Sequence, residues 1–455
     1  MREIPGLQVH KFGGASVKDA AGIRNVARIV REHCGAGPLL IVVSAMGKTT
    51  NALEEIFNLA FAEKAYLEAL QRLEDSHLAT ARELLGEAEL NEEGDNQYRP
   101  FQQRLKELRT ALATVSRTGD YDQQYDQVIS YGEMLASQLV YEYTHRTNAL
   151  PANLATWGYL DARTVIRTDE VWREAKVDWA GTQQRLDMLG EALPFNERIV
   201  FTQGFIGGPE PVYFNDENTA RTGMRQCHKP TTTLGREGSD YSSAIFAYCL
   251  RAESVTIWKD VAGLLNADPK IFPDTVRYPE ISYRETIEMA YYGASVIHPK
   301  TLKPLADRNI PLRVKSFLDP TAEGTLIHDC QHAALAPAFI RKTDQCLLSF
   351  ASKDFAFISE ENMALIFSAL AQAKLKINVM QNSAISFSVC TDFSERRITQ
   401  LLDLLREQFT LHYNTGLTLF TIKNYDAASI ARLTKGRGLL LEQRTRGTFQ
   451  FVCKA

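Results

Sequence analysis

The chain has no run of about 18 apolar residues, so no stretch is long enough to cross a bilayer as a helix. Nothing after Met1 has the pattern of a signal peptide, and the two absences together place the chain in the cytoplasm. Its seven cysteines (34, 227, 249, 330, 346, 390 and 453) are scattered, odd in number and free of any Cys-x-x-Cys. They read as reduced, mostly buried thiols, which excludes a disulfide framework and a zinc site. An excess of one charge is lacking too: 51 basic against 55 acidic residues leave a net charge of −4. Neither nucleic acid nor an anionic membrane is therefore indicated as the main partner. Low-complexity segments and short repeats are also missing, and 45% hydrophobic with 23% charged residues argues against disorder. At roughly 150 residues per domain, 455 residues make two to four domains, with enough core to fold unstapled.

What is present begins as alternating strand and helix. A strand at 7–11 breaks into Gly13-Gly14, and Ser16-x-x-Asp19 then reads as a capping-box-like helix start. Ile23, Val26, Ala27 and Val30 follow at helical spacing. The apolar run 39–43 is a strand buried on both faces. Strand, turn, helix, strand is a βαβ unit, and such units build parallel sheets. A charged, helix-rich stretch from about 54 to 120, with Leu105, Leu108, Leu112 and Val115 in register, reads as a helical insertion or lid. Strand signals return at 198–202, 255–258 and 311–314, and Ile287, Ala290, Tyr291 and Ala294 mark another helix. The first domain is expected to span 1–320, ending at the turn signals Asp319-Pro320 and Gly324. Beyond it the order is strand 347–350, helix 360–373, strands 377–381 and 385–389, helix 394–408, strand 411–413. That βαββαβ order is ferredoxin-like, and a shorter βαββ echo follows over 417–452.

Five stretches carry chemistry. Lys11, Phe12, Gly13 and Gly14 put a lysine and two glycines at a strand end before a helix, a device suited to phosphate, although a plain strand–helix turn fits equally. It is neither a Walker loop nor a dinucleotide fingerprint. Ser44, Thr49 and Thr50 follow a buried strand where α/β proteins bind ligands, or else cap the next helix. Gly132-Glu133 lies inside a helix, and a glycine there costs about 1 kcal/mol, hinting at a close approach. Glu133 then suits an ammonium group; a surface glutamate beside a packing glycine is the alternative. The stretch 233–241 gathers Gly235, Arg236, Gly238, Ser239 and Asp240 ahead of an apolar helix. Arginine grips a carboxylate with two parallel hydrogen bonds, and Asp240 suits a metal-bound phosphate or a lysine. Lys259, Asp260 and Lys270 sit in loops after a strand, a common nucleotide position, though two ordinary turns account for them as well.

Taken together and in order, 11–17 (KFGGASV), 42–51 (VVSAMGKTTN), 132–133 (GE), 201–207 (FTQGFIG), 232–244 (TTLGREGSDYSSA), 258–269 (WKDVAGLLNADP) and 291–299 (YYGASVIHP) resemble the aspartate kinases of the amino-acid kinase superfamily. The likeness covers about 8–320, and a weaker one to paired ACT regulatory modules covers 335–455, divided as 335–413 and a shortened 414–455. It implies an α/β fold, a mostly parallel sheet sandwiched by helices, followed by α+β ferredoxin-like modules. It also implies Mg-ATP as cofactor, L-aspartate as substrate, transfer of phosphate to the β-carboxylate, and a homodimer formed through the ACT-like modules. By the same resemblance Lys11, Phe12, Gly13, Gly14, Lys259, Asp260, Lys270, Ser295 and Val296 contact ATP. Ser44, Thr50, Glu133, Arg236, Gly238 and Ser239 contact the amino acid, and Lys11, Arg236 and Asp240 are catalytic, with no protein metal ligand. Other amino-acid kinases and a non-catalytic amino-acid sensor are the competing readings.

Some positions depart from the family pattern. Ala15 stands for threonine, Glu237 for glycine, Lys259 for threonine, and Ser295 for a nucleotide-contacting lysine, as if a lysine had moved between loops. Met380 and Ser386 replace acidic residues that hold lysine in feedback-sensitive relatives, so weak or absent lysine inhibition is expected. No homoserine dehydrogenase domain is expected to follow, since no residues remain for its Rossmann unit.

Overall fold

The computed structural model describes residues 4–34, 37–86, 99–147, 156–192, 198–210, 212–214, 226–228, 230–294, 296–332, 335–353 and 357–454. They divide into two units, Met1–Leu264 with Pro279–Tyr283 and Ile297–Cys330, and Leu265–Tyr278 with Arg284–Val296 and Gln331–Ala455.

In the first unit an eight-stranded sheet is built from β1 (Gln8–Phe12), β2 (Leu39–Val43), β3 (Thr156–Leu160), β4 (Arg198–Gln203), β5 (Ser254–Lys259), β6 (Glu280–Ser282), β7 (Leu312–Ser316) and β8 (Thr325–His328). The spatial order is β6-β8-β7-β5-β1-β2-β4-β3, and every neighbouring pair is parallel except β7 with β8. Parallel strands joined by helical crossovers are covered on both faces, which is why β2 is apolar at all five positions and wholly buried. Short β3 and β6 lie at the two edges of the sheet, where no continuous apolar run is needed, and β8, four residues long, alternates buried and half-buried positions, so all three escape sequence reading.

Helix α1 (Ala20–His33) buries Ile23, Val26, Ala27, Ile29 and Val30 as the spacing predicts. Its cap is Asp19, whose carboxylate accepts from Gly22 N–H at 2.8 Å, and not Ser16, whose hydroxyl donates to Gly13 C=O at 2.6 Å. A 3-10 turn, Gly14–Val17, separates strand from helix. The helical stretch is longer than 54–120: α2 (Thr49–Phe61), α3 (Leu67–Leu85), α4 (Arg99–Ala113), α5 (Tyr121–Ile129) and α6 (Tyr131–Arg146) follow one another. They share one core with the sheet, in which Ile41, Phe57, Phe101, Leu108 and Leu139 are buried. After α7 (Trp179–Ala192), helix α8 (Gly238–Leu250) is buried almost throughout. Five of the described cysteines (34, 249, 346, 390 and 453) are buried free thiols, as the composition suggests.

The second unit carries a six-stranded antiparallel sheet of β9 (Ala338–Ser352), β10 (Ile377–Asn382), β11 (Ser386–Asp392), β12 (Phe409–Lys423), β13 (Leu439–Arg444) and β14 (Thr448–Lys454), in the order β10-β11-β9-β12-β14-β13. The strands expected at 411–413 and 417–422 are one, because Gly416 takes up φ +65° and the β9–β12 register shifts around Gln345, so pairing continues through the irregularity. Ala338–Lys342 pairs with the second half of β12, and Phe339 packs with Phe272, Phe420, Phe449 and Phe451. The echo module thus draws a strand and core residues from upstream in the chain.

Ile41 lies mid-sheet with no exposure. Ile41→Ala is expected to lower unfolding free energy by about 2–5 kcal/mol in chemical denaturation.

Candidate active site

In-register parallel pairing brings the strand ends together: Phe12 lies opposite both Val43 and Trp258, Val43 opposite Gln203, and Ser316 opposite Lys259. The residues following those strands open at one edge of the sheet, where α/β folds place ligands. Facing that edge is the first turn of α8. Its Asp240, 2% exposed, takes Lys11 Nζ at 2.5 Å on one oxygen and Lys259 Nζ at 3.1 Å on the other. Burial pushes the Asp240 carboxyl up, but the Lys11 and Lys259 ammonium groups outweigh it and hold the group below the usual carboxylate range. The cluster therefore carries two positive charges against one negative.

Beside it opens a pocket of about 580 Å³, walled by Ser44, Thr50, Glu133, Arg236, Gly238 and Ser239 among others. All six of the substrate positions expected from the sequence thus share one cavity. Ser239 hydroxyl donates to Ser44 Oγ at 3.3 Å, linking the β2 end to the α8 start. Glu133 is buried beneath it; Ala45 N–H donates to Oε1 at 3.2 Å, and Oε2 has no hydrogen-bond partner among the described residues. Burial drives the Glu133 carboxyl up to about 8, against smaller opposing effects of the Ala45 N–H and Lys11. Gly132 explains itself here: a Cβ would sit 2.9 Å from Ala45 Cβ, so only glycine lets α6 approach the strand end. Gly14 is similarly tight, with a Cβ 2.7 Å from Ala45 C=O.

Other positions fare differently. The helix expected directly behind Gly13-Gly14 is displaced, since α1 starts only at Ala20 and its cap is Asp19. Phe12 is fully buried, its ring stacked on Trp258 at 5.9 Å, so only its backbone faces the strand end. Asp260 is exposed just past Lys259. Lys270 and Val296 belong to the second unit, and Ser295 lies outside the described residues. Glu237, where the family pattern has glycine, adopts φ +53° in the left-handed region.

The structure also adds residues to which the sequence reading gave no role of their own. Tyr125, Arg173 and Thr233 line the pocket. Asp126, on α5 beneath them, is completely buried: Oδ2 accepts Arg173 N–H at 2.9 Å and Thr233 N–H at 2.8 Å, and Oδ1 accepts the Thr233 hydroxyl at 2.7 Å. The available signal was an acidic residue set inside the apolar stripe of Tyr125, Val128 and Ile129.

Residues 6–316 match the model of the amino acid kinase family. The chain belongs to that family. Within the family it groups with the aspartokinases: the lysine-sensitive aspartokinase 3 of Escherichia coli (strain K12) is 33% identical over 85% of this chain and 78% of that protein. The chloroplastic bifunctional aspartokinase/homoserine dehydrogenase 2 of Arabidopsis thaliana is 28% identical over 90% of the chain, which spans only 42% of that relative. The crystal structure of E. coli aspartokinase III with aspartate and ADP (R-state) aligns at a TM-score of 0.75 and 26% identity, covering 98% of this chain and 96% of that one. This amino acid kinase thus resembles aspartokinases through both units. Among its described residues no helix is long and apolar enough to cross a membrane.

A raised carboxyl favours folding at low pH, and that stability is lost as pH rises from the unfolded-state value near 4.3 through about 8. Glu133→Gln is insensitive to this titration. Thermal denaturation should therefore show its melting temperature gaining on wild type from pH 5 to pH 8 and levelling off above.

Proposed function

We propose that the protein catalyses ATP-dependent phosphorylation of the β-carboxylate of L-aspartate to 4-phospho-L-aspartate. The observation that carries this reading is the pairing of Lys11 and Lys259 on Asp240 beside a pocket that offers both Arg236 and the unpartnered Glu133 oxygen. A pocket with a cation and a buried acceptor suits an amino acid. Two lysines at its edge suit the phosphates that must meet it.

The reaction joins two anions, so positioning and charge neutralisation carry most of the catalysis. The acceptor carboxylate is ionised at neutral pH, and no general base is required. In this scheme Arg236 grips the α-carboxylate and Glu133 accepts from the α-ammonium group. The new positive charge beside Glu133 favours its ionised form, so binding releases a proton. Lys11 and Lys259 neutralise the transferring phosphate, with Asp240 fixing both ammonium positions. Lys259 thereby takes over the charge that relatives supply from the position of Ser295. A donor set of one carboxylate against two lysines suits a nucleotide that brings its own magnesium, which would add positive charge on the phosphates.

The domain assignment that goes with this reading is a catalytic domain over 1–320, whose helical insertion, expected at about 54–120, takes in the helices from Thr49 to Arg146, then ACT-like modules at 335–413 and 414–455. Ala338–Lys342 supplies a strand to the second module. Homodimerisation through these modules, a cytoplasmic location and a role at the entry to lysine and threonine synthesis complete the proposal.

Hydroxylamine trapping with Mg-ATP and a panel of amino acids tests it. Product with aspartate alone supports the reading; product only with another acceptor, or binding without product, rejects it. Lys11→Ala should lower kcat by about 100-fold or more. Arg236→Ala should raise KM for aspartate about 10- to 100-fold with little change for ATP, and Lys259→Ala should raise KM for ATP. Millimolar lysine should leave activity largely intact, because Met380 and Ser386 lack the carboxylates that would hold its ammonium groups.

A further inference from the structure

Two arginines, not one, face the pocket. Arg173 comes from a loop that the sequence reading left unassigned, and it lines the same cavity as Arg236. Its guanidinium lies 4.3 Å from the centre of the Tyr125 ring, and Nη1 meets Asp122 at 3.3 Å. Those contacts orient the group while leaving it half-buried at the cavity wall. Its backbone is held at φ +68°, a left-handed conformation that a side chain bearing a Cβ rarely adopts.

Such a conformation persists only where surrounding bonds enforce it, and here one carboxylate does so. Asp126 Oδ2 accepts the N–H of Arg173 and also that of Thr233, three residues before Arg236. Ala175 N–H donates to Thr233 C=O at 3.0 Å, tying the two loops a second time. One buried group thus sets the positions of both arginine-bearing loops relative to each other.

We propose that Arg173 is a second substrate-binding arginine, which shares with Arg236 the carboxylate that is not phosphorylated, and that Asp126 is the positioning residue that holds the pair. The proposal rests on the phosphorylation reading above. The acceptor carboxylate must face Lys11 and Lys259, so the other carboxylate is left for the arginines. A dicarboxylic amino acid is thereby distinguished from an acceptor with a single carboxylate.

The test compares L-aspartate with its α-amide, which keeps the acceptor carboxylate and loses the other. Arg173→Ala should raise KM for aspartate about 10- to 100-fold, leave kcat within about threefold and leave KM for ATP unchanged. It should have little effect on KM for the α-amide. Asp126→Asn should produce the same aspartate-selective rise, and the double variant should be no worse than the worse single one. Arg173→Lys should restore only part of the affinity, since lysine cannot offer a bidentate fork. Equal losses with both substrates, or no loss in Arg173→Ala, overturn the proposal. If wild type makes no phosphoaspartate, the phosphorylation reading fails, and calorimetric titration of aspartate then decides this inference separately. Weaker binding in Arg173→Ala than in wild type upholds it, and equal or undetectable binding in both rejects it.

Discussion

The site depends on a single carboxylate. Asp240 stands where two parallel strands end and one buried helix begins, and it is the anion on which Lys11 and Lys259 converge. Removing one partner of a buried ionic cluster costs about 3–5 kcal/mol, because the remaining charge is left uncompensated. Here two like charges would be left, each on a different strand and both pointing at the same space. The register of β1 with β5 and the burial of α8 are the conditions for that convergence. Neither lysine is placed by its own strand alone.

The second constraint is backbone strain gathered around the pocket. Phe205, Arg173 and Glu237 all adopt positive φ without being glycine. Each such residue costs of order 1–3 kcal/mol, so each needs bonds that enforce it. Phe205 N–H is taken by the Ser242 hydroxyl at 2.9 Å, and its C=O accepts from Leu234 N–H at 2.8 Å. Arg173 has Asp126. The polar residues beneath the cavity thus do for loop geometry what apolar packing does for the sheet.

The central strands and the amphipathic helix α1 were legible because burial writes a period into the sequence. Lys11, Glu133, Arg236 and Asp240 were legible as dense local motifs and as a family resemblance. Asp126 and Arg173 were not, since each lies in a stretch with no motif and acquires meaning only when α5 and a distant loop meet. The cap at Asp19 was misassigned to Ser16 because a 3-10 turn intervenes, and hydrogen-bond competition within a turn leaves no periodic trace. The single strand Phe409–Lys423 was divided because Asn414 and Gly416 look like a hairpin turn. In three dimensions the flanking pairings on both sides outweigh that local preference.

β9 and β12 each run for 15 residues and serve both halves of the second sheet. The halves consequently have no seam at which the chain can be cut. Ending the polypeptide after Tyr413 would strip the partner from Ala338–Lys342 and leave an apolar edge, with Phe339 and Ile340, open to other chains. Grafting one half onto another protein would carry half of each long strand without its ladder. What looks along the sequence like a full module and a truncated one is joined in a single six-stranded sheet by two shared strands.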